Sequence, residues 1–239
     1  MTVFPLGQKN DRMPRMCGRF TLQIPLSTLI EIFGISEFPS FALEPRYNIA
    51  PTQQIPIVRQ YADYTDHLDL LHWGFIPSWQ KESPSGPPLI NARSESVAEK
   101  PAFRQAIRYR RCLVPSSGFY EWQREGDKKV PQYIRLKDGS PMVFAGVWEE
   151  SKGPDGKPQD TCAILTTASN DLVSPLHDRM PVILHPSEYP HWLDRDQRDP
   201  EKLNRLYQPY PTDLMEMYAV SPLINSPKND SPDLVVPQD

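Results

Sequence analysis

The sequence predicts a single α+β domain with an antiparallel, partly barrel-like β core and helices packed outside it. Segments with strand-like composition outnumber those with helical periodicity, and the two kinds do not alternate regularly along the chain. Regular alternation is expected of a doubly wound parallel sheet, so that architecture is disfavoured. The length of 239 residues and a hydrophobic content of 38% suit one large domain with an ordinary core.

The strands are predicted from short apolar segments that lie between turn signals. They cover 54–60, 68–75, 111–115, 132–137, 142–148, 161–167 and 215–221. Residues 132–148 are predicted to form a hairpin, because Lys-Asp-Gly-Ser at 137–140 is a typical turn sequence. Helices are predicted at 26–33, ended by Gly34, at 101–110, opened by Pro101, and at 200–207, opened by Pro200.

The 28 prolines are spread along the chain and form no proline-rich tract. This distribution indicates ordered loops between short elements. Low order is expected at 1–15, 80–88, 151–160 and in the tail after about residue 228. The predicted division is an N-terminal extension at 1–15, a domain at 16–230 and a tail at 231–239.

Several classes of protein are disfavoured by composition. No apolar run reaches 18 residues, so no membrane span is expected, and residues 1–15 lack the apolar stretch of a secretory signal. The three cysteines form no CxxC pair, which disfavours a disulfide framework and indicates a reducing cytoplasm. The histidines show no metal-ligand spacing, so we expect no metal and no other cofactor.

The charge distribution is uneven. A net charge of −4 disfavours general binding of nucleic acids, yet residues 93–111 carry six basic side chains against two acidic ones. On the predicted helix 101–110, Arg104, Arg108 and Arg111 would share one face, which phosphates would favour. A merely solvated helix face is the alternative, and this feature taken alone favours it.

Cys17 follows Met16 in the stretch Met-Cys-Gly-Arg-Phe. If Met16 were the first residue, its removal would leave an α-amine and a thiol on one carbon. At pH 7 an α-amine, with a pKa of about 8, is neutral roughly a hundredfold more often than a lysine. The neutral amine can attack an aldehyde to give an imine, and the neighbouring thiol can then close a five-membered ring. The alternative is a buried, inert thiol.

Six ordered motifs complete the pattern. They are Met-Cys-Gly-Arg-Phe at 16–20, Tyr-Asn-Ile-Ala-Pro-Thr-Gln at 47–53, Trp-Gly-Phe-Ile-Pro-Ser-Trp at 73–79, Asn-Ala-Arg-Ser-Glu at 91–95, Arg-Arg-Cys-Leu-Val-Pro-Ser-Ser-Gly-Phe-Tyr-Glu-Trp at 110–122 and His-Asp-Arg-Met-Pro at 177–181. In these motifs the chain resembles the SRAP family (SOS response-associated peptidases, or abasic site processing proteins) from Cys17 to about Asp230.

The resemblance implies a covalent sensor of abasic sites in single-stranded DNA. In the family the initiator methionine is removed, and the N-terminal cysteine reacts with the ring-opened sugar aldehyde to give a thiazolidine. The family is also regarded as a peptidase that can remove residues preceding the cysteine. The expected partner is single-stranded DNA with abasic sites, and we expect a cytoplasmic monomer that associates with the nucleoid when bound to DNA.

Four residues are the candidates for chemistry: Cys17, Asn91, Glu121 and His177. Aromatic neighbours would disfavour the charged form of Glu121 and make it a proton donor, unless it is an exposed strand carboxylate. His177 can shuttle protons at pH 7, and the resemblance places it beside the sugar. The amide of Asn91 can hydrogen-bond the sugar or the attacking centre.

The remaining candidates concern the DNA backbone and bases. Arg93 can grip a flanking phosphate in two-point fashion, and Arg19 would suit the neighbouring phosphate. Trp73, with Phe75 and Trp79, could stack on bases, although a core position is the more usual one for such aromatics. Pro45, Asn48 and Pro51 are expected to shape the loop beside Cys17 without taking part in chemistry.

One departure from the family pattern leaves alternatives open. Fifteen residues precede Met16, and with them attached the Cys17 nitrogen is an amide that cannot form an imine. Translation that really starts at Met16, or at Met13 with later trimming, is favoured; the alternative is an extension that Cys17 itself removes, with Glu121 or His177 carrying the proton. Two other functions remain, namely a cysteine autopeptidase or amidohydrolase acting on peptides, and a single-strand binding module that needs no thiol.

Overall fold

The structure is a computed structural model that describes residues 18–80, 88–153 and 156–238. The predicted extension 1–15, the candidate nucleophile Cys17 and residues 81–87 and 154–155 of the predicted low-order segments lie outside the described residues. No helix in these three ranges is long and apolar enough to cross a membrane.

The described residues form twelve strands in two sheets. They are β1 (Phe20–Leu22), β2 (Arg46–Ile49), β3 (Gln54–Gln60), β4 (Asp66–Trp73), β5 (Asn91–Arg93), β6 (Arg111–Ser116), β7 (Gly118–Glu125), β8 (Lys128–Leu136), β9 (Met142–Lys152), β10 (Pro158–Ala168), β11 (Arg179–Pro181) and β12 (Met215–Ala219). One sheet has five strands in the order β12-β8-β7-β1-β2.

The larger sheet closes on itself. Its strands follow the order β10-β4-β3-β6-β9, and β9 pairs with β10 again, which completes a ring. Short strands β5 and β11 also pair with β10, and the pairings of β10 with β4 and β5 are parallel while the others are antiparallel. The predicted α+β class with a largely antiparallel, partly barrel-like core is therefore confirmed.

The helices are short and lie outside the sheets. Helix α1 (Leu26–Phe33) has the predicted bounds and ends at Gly34, whose φ of 61° lies in the left-handed region that glycine favours. Helix α2 covers only Ala106–Tyr109, because residues 101–105 form turns. Helix α3 is Tyr189–Leu193, and the third predicted helix is a 3-10 helix at Pro200–Tyr207.

The predicted hairpin at 132–148 is wrong. The turn is present at Gly139, which has a φ of 73°, but the strands on its two sides belong to different sheets. Strand β8 pairs with β7 and β12, whereas β9 pairs with β6 and β10. Composition located both strands and the turn, but it did not indicate with which other strands each would pair.

The hairpin that does form joins β7 to β8 around Gly126 and was missed, because β7 was not predicted as a strand. Strands β1, β2, β5 and β11 were also missed, and each has only three or four residues. Segments of that length carry too few side chains to show an alternating pattern.

The predictions of low order at 151–160 and after residue 228 are wrong for the described residues. Strand β9 continues to Lys152 and β10 begins at Pro158. Beyond residue 228 a 3-10 helix spans Pro232–Val235, and its Leu234 is fully buried. This helix packs in a second apolar cluster with Tyr120, Tyr133 and Ile224, separate from the barrel core.

Candidate active site

One cleft brings together two of the residues predicted to carry chemistry. Glu121 on β7 and His177 on the loop before β11 both line a cavity of about 320 Å³. The other lining residues are Trp122, Arg124, Lys129, Leu176 and Asn225. A buried carboxyl group therefore shares a cleft with an imidazole and with two cations at its rim.

Glu121 is held in the middle of the five-stranded sheet. Its partner across the β7–β8 pair is Gln132, and only 5% of Glu121 is exposed. The preceding residue, Tyr120, donates its backbone N–H to the carbonyl of Arg19 at 3.0 Å. Glu121 is therefore not the exposed strand carboxylate of the alternative interpretation, and it lies beside the start of β1.

His177 is held by contacts at one ring nitrogen. Its Nδ1 lies 2.8 Å from Asp178 Oδ1 and accepts the backbone N–H of Arg179 at 3.1 Å. These contacts fix the imidazole at the cleft, on the loop before β11.

Strand β5, which carries Asn91 and Arg93, is joined to the His177 segment through β10. Strands β5 and β11 both pair with β10, so that Thr166 lies opposite Arg93 in one pairing and opposite Pro181 in the other. The Arg179 guanidinium donates to both carboxylate oxygens of Glu95 and to the carbonyl of Thr166 at 2.6 Å. The hydrogen bonds from Arg179 lower the pKa of the Glu95 carboxyl group and join the segment after β5 to the segment that carries His177.

The chain that follows Cys17 runs beside these elements. A Cβ placed on Gly18 would lie 3.9 Å from Ile90 Cδ1 and 4.0 Å from Pro51 Cγ. Ile90 immediately precedes Asn91, and Arg19 contacts Tyr120 next to Glu121. The described residues nearest to Cys17 in sequence therefore lie between β5, which carries Asn91, and β7, which carries Glu121.

The other two cysteines cannot supply the nucleophile. Cys112 and Cys162 are fully buried in the barrel. Burial raises the pKa of the Cys112 thiol to about 12 and also raises that of Cys162. Both stay as unreactive thiols at neutral pH, because the thiolate is the nucleophilic form.

The family whose model matches this sequence is described as SOS response associated peptidase (SRAP), and the match covers residues 16–227. The chain belongs to the SRAP family. Abasic site processing protein YoqW of Bacillus subtilis (strain 168) is 45% identical over 222 residues, which cover 92% of this chain and 99% of YoqW. Abasic site processing protein YedK of Escherichia coli (strain K12) is 30% identical over 229 residues, covering 93% of this chain and 100% of YedK.

The fold of this SRAP chain also matches solved structures. A crystal structure of a protein from Bacteroides thetaiotaomicron superposes with a TM-score of 0.80 at 27% sequence identity, covering 93% of this chain and all of that one. Within the described parts of this SRAP chain, no group of three or more His, Cys, Asp or Glu side chains is arranged to hold a metal ion.

Trp73 was predicted to contact DNA, and that prediction is wrong. Its side chain is fully buried in the barrel core, where its indole N–H donates to the carbonyl of Ile90 at 2.9 Å. Its ring packs edge-on against Phe20 with centroids 5.2 Å apart, which leaves no face for a base. Phe75 is buried as well, whereas Trp79 is 64% exposed.

The arginine stripe does not form as predicted, because the helix ends at Tyr109 and Arg111 starts β6. Arg111 is buried, and its guanidinium donates to the carbonyls of Ile107 and Trp192. The guanidinium is therefore not available to a phosphate, and the predicted DNA contact of Arg111 is wrong; burial also lowers the pKa of this side chain. Arg104 is exposed and Arg108 donates to the carbonyl of Arg198, so their DNA contacts stay predictions.

Arg19 has a structural role that the sequence did not indicate. Its Nη1 donates to Asn48 Oδ1 at 2.7 Å and to the carbonyl of Ile224 at 2.8 Å. Partial burial lowers the pKa of this guanidinium. A contact between Arg19 and a DNA phosphate stays a prediction.

Five cleft residues were not singled out by the sequence analysis: Trp122, Arg124, Lys129, Leu176 and Asn225. The turn sequence Glu-Gly-Asp at 125–127 could have revealed the β7–β8 hairpin. Alternation along β7 would then have placed Arg124 near Lys129, which lies opposite it in the pairing. No local signal pointed to Asn225, because about 205 residues of sequence separate it from the start of β1.

Proposed function

We propose that this SRAP protein processes abasic sites in single-stranded DNA by forming a thiazolidine crosslink through Cys17 once that residue is N-terminal. The observation that carries the proposal is the shared cleft of Glu121 and His177, beside the chain that follows Cys17. The names of relatives such as YoqW and YedK support the same class of substrate.

The proposed reaction starts from the ring-opened sugar, which presents an aldehyde at C1′. The Cys17 α-amine adds to that carbon and gives a carbinolamine. Glu121 donates a proton to the departing hydroxyl, so that water leaves and a protonated imine forms. The Cys17 thiol then adds its sulfur to the imine carbon and gives its proton back to the Glu121 carboxylate, which closes the thiazolidine ring.

The neighbouring residues have supporting roles in this proposal. His177, held by its contacts at Nδ1, carries protons between the sugar ring oxygen and solvent. Asn91 orients the sugar through its amide. Because Arg93 is exposed at the end of β5, it can hold a flanking phosphate.

The rim of the cleft suits a single strand. Arg124 and Lys129 are exposed cations that face phosphates, and Trp122 offers an aromatic surface to a base. Stacking and backbone charge bind single strands with little sequence preference. We place this activity at DNA in the cytoplasm and expect a monomer.

A second candidate activity is the removal of residues 1–16 by Cys17. In the 239-residue chain the Cys17 nitrogen is part of a peptide bond, so imine formation requires that bond to be cut. If the chain cuts itself, a protein starting at Met1 with Met16→Leu will shorten with time, and Cys17→Ala will block the shortening. If it does not, the intact mass will stay constant and only a protein started at Met16 will be active.

The crosslink is tested with a protein started at Met16 and a single-stranded oligonucleotide that contains one abasic site. We expect an adduct that survives denaturing electrophoresis, whereas Cys17→Ser gives at best an imine that needs a reductant to be trapped. A stable adduct of wild-type yield from Cys17→Ser would overturn the thiazolidine mechanism.

The same protein separates the crosslinker from a plain binding module. Cys17→Ala should abolish the adduct and leave reversible binding to the oligonucleotide largely intact. Adduct formation by a protein whose mass still includes residues 1–16 would refute the role of the free α-amine.

A further inference from the structure

The last part of the chain contributes Asn225 to the lining of the cleft. Residues 221–238, here called the C-terminal strap, run along the five-stranded sheet beyond the end of β12. Leu234 of the strap is fully buried, and Pro237 forms a bridge with Val220. The Gln238 N–H donates to the carbonyl of Ala219 at 2.9 Å, so the strap is tied down at its far end.

A single buried amide holds the middle of the strap. Asn48 on β2 is fully buried, and its Nδ2 donates to the carbonyls of Ser226 at 3.0 Å and Asn229 at 2.8 Å, with a longer contact to that of Ile224 at 3.3 Å. Its Oδ1 accepts from Arg19 Nη1. The side chain of Asn48 thus uses both its donors and its acceptor to fix the strap to β1 and β2.

Three charged side chains complete the attachment. Arg19 donates to the carbonyl of Ile224, immediately before Asn225. At the other end, the Asp230 carboxylate accepts from Arg46 Nε at 2.5 Å and from the backbone nitrogen of Asn48 at 3.1 Å. Residues 224–230 are therefore clamped on both sides of the loop that they form.

This clamped loop presents Asn225 to the cleft. The Oδ1 atom of Asn225 accepts the indole N–H of Trp122 at 2.8 Å, and both residues line the cleft with Glu121. Trp122 has one N–H donor, so this bond sets the rotation of its ring. Asn225 is exposed and on a 3-10 helix, so its position depends on the attachments on either side.

We propose that Asn225 is a positioning residue which, held in place by Asn48 and Arg19 through the C-terminal strap, fixes Trp122 as the base-stacking wall of the cleft. The inference rests on the proposed function, because it assigns the indole ring to DNA. We expect the strap to act on DNA binding, since Asn225 contacts Trp122 on the wall of the cleft.

The first test uses the protein without DNA. In the ¹⁵N NMR spectrum, Asn225→Ala should move the Trp122 indole N–H resonance and speed its exchange with water, because its acceptor is lost. The Trp73 indole resonance should not change, since Trp73 donates to Ile90 inside the barrel. Leu223→Ala, an exposed change in the same 3-10 helix, is the matched control and should move neither resonance.

The second test uses abasic single-stranded DNA and the protein started at Met16. Asn225→Ala should raise the half-saturating DNA concentration roughly five- to tenfold, which corresponds to part of one base–aromatic stack. The crosslinking rate constant at saturating DNA should equal that of wild type. Asn225→Asp keeps an oxygen acceptor and should restore the Trp122 indole resonance.

The outcomes separate the inference from the proposed function. An unshifted Trp122 resonance in Asn225→Ala, or a lower rate at saturation with unchanged half-saturation, overturns the positioning role. If wild type forms no crosslink while the resonance moves as expected, the proposed function fails and the contact of Asn225 with Trp122 stands. Asn48→Ala should reproduce the resonance shift and also lower stability, because Asn48 is fully buried, so Asn225→Ala decides.

Discussion

At the scale of single residues, the proposed mechanism assigns proton transfer and binding to different parts of the cleft. Glu121 is almost fully buried on a central strand, whereas Arg124 and Lys129 stand exposed at the rim. His177 is held at the cleft by contacts at its Nδ1. Changes at Glu121 should therefore affect the rate, and changes at the rim should affect affinity.

Glu121→Gln is the sharpest test at this scale. The amide keeps the size of the carboxyl group but cannot donate the acidic proton. At saturating abasic DNA, we expect the crosslinking rate to fall by about 10²- to 10⁴-fold, the usual contribution of a general acid or base. The half-saturating concentration should change little. Glu125→Gln, exposed at the end of the same strand, is the control, and a wild-type rate for Glu121→Gln would remove its catalytic role.

At the scale of elements, two short strands on β10 and the β7–β8 hairpin assemble the site. The Arg179–Glu95 ion pair joins the segment after β5 to the start of β11. Within the hairpin, β7 approaches β8 closely at Gly118, where a Cβ would lie 2.6 Å from the carbonyl oxygen of Ile134. Both contacts can be tested through stability.

Glu95→Gln should lower the melting temperature at pH 7, by a small amount because Glu95 is 55% exposed. The pKa of Glu95 is lowered in the folded protein, so its contribution is present above the ordinary glutamate pKa of about 4.3. That contribution disappears as pH falls through the lowered folded pKa. Melting curves of Glu95→Gln and wild type should converge at low pH; a constant difference, or one shared by the exposed Glu99→Gln, would contradict the ion-pair explanation.

Gly118→Ala should destabilise the protein by about 1–3 kcal/mol, the usual cost of forcing an atom into a packed position. The nearest atom is a backbone oxygen in β8, which cannot move without disturbing the pairing of β7 with β8. In a chain of this size each kcal/mol lowers the melting temperature by about 2–4 °C. Glu125→Ala is an exposed control in the same strand, and an unchanged melting temperature for Gly118→Ala would show that the sheet relaxes there.

At the scale of the whole molecule, the net charge of −4 makes the placement of cations decisive. Two pairs of basic side chains are candidates for contacts with the DNA backbone. Arg124 and Lys129 lie at the rim of the cleft, while Arg104 and Arg108 precede β6 and do not line it. The geometry favours the first group.

Salt dependence distinguishes the two groups. With Cys17→Ala to keep binding reversible, the combined change Arg124→Ala and Lys129→Ala should reduce the slope of log affinity against log salt by roughly 1.4, about 0.7 for each lost phosphate contact. The matched pair Arg104→Ala and Arg108→Ala should leave the slope unchanged. The opposite result would move the DNA path to the α2 side of the protein.

The residues proposed for chemistry could be picked out from the sequence, whereas the other walls of the cleft could not. Glu121 and His177 stand in motifs whose residue types suit proton transfer, and the structure places them in one cleft. Trp122 was overlooked in favour of Trp73, since both are tryptophans in aromatic motifs. Which of the two tryptophans is exposed depends on the strands that pack over them, and a short motif does not predict those strands.

By itself, the sequence determined the family, the fold class, helix α1 at its observed bounds and most of the longer strands, because apolar periodicity and turn residues are local signals. Only the tertiary structure decided that β8 and β9 belong to different sheets, that Arg111 is buried and that residues 221–238 form a strap. These features depend on contacts such as those of Asn48 with Ser226 and Asn229, which join distant parts of the chain. The free energy of such contacts arises from burial and partner geometry, and neither is a property of a short stretch of sequence.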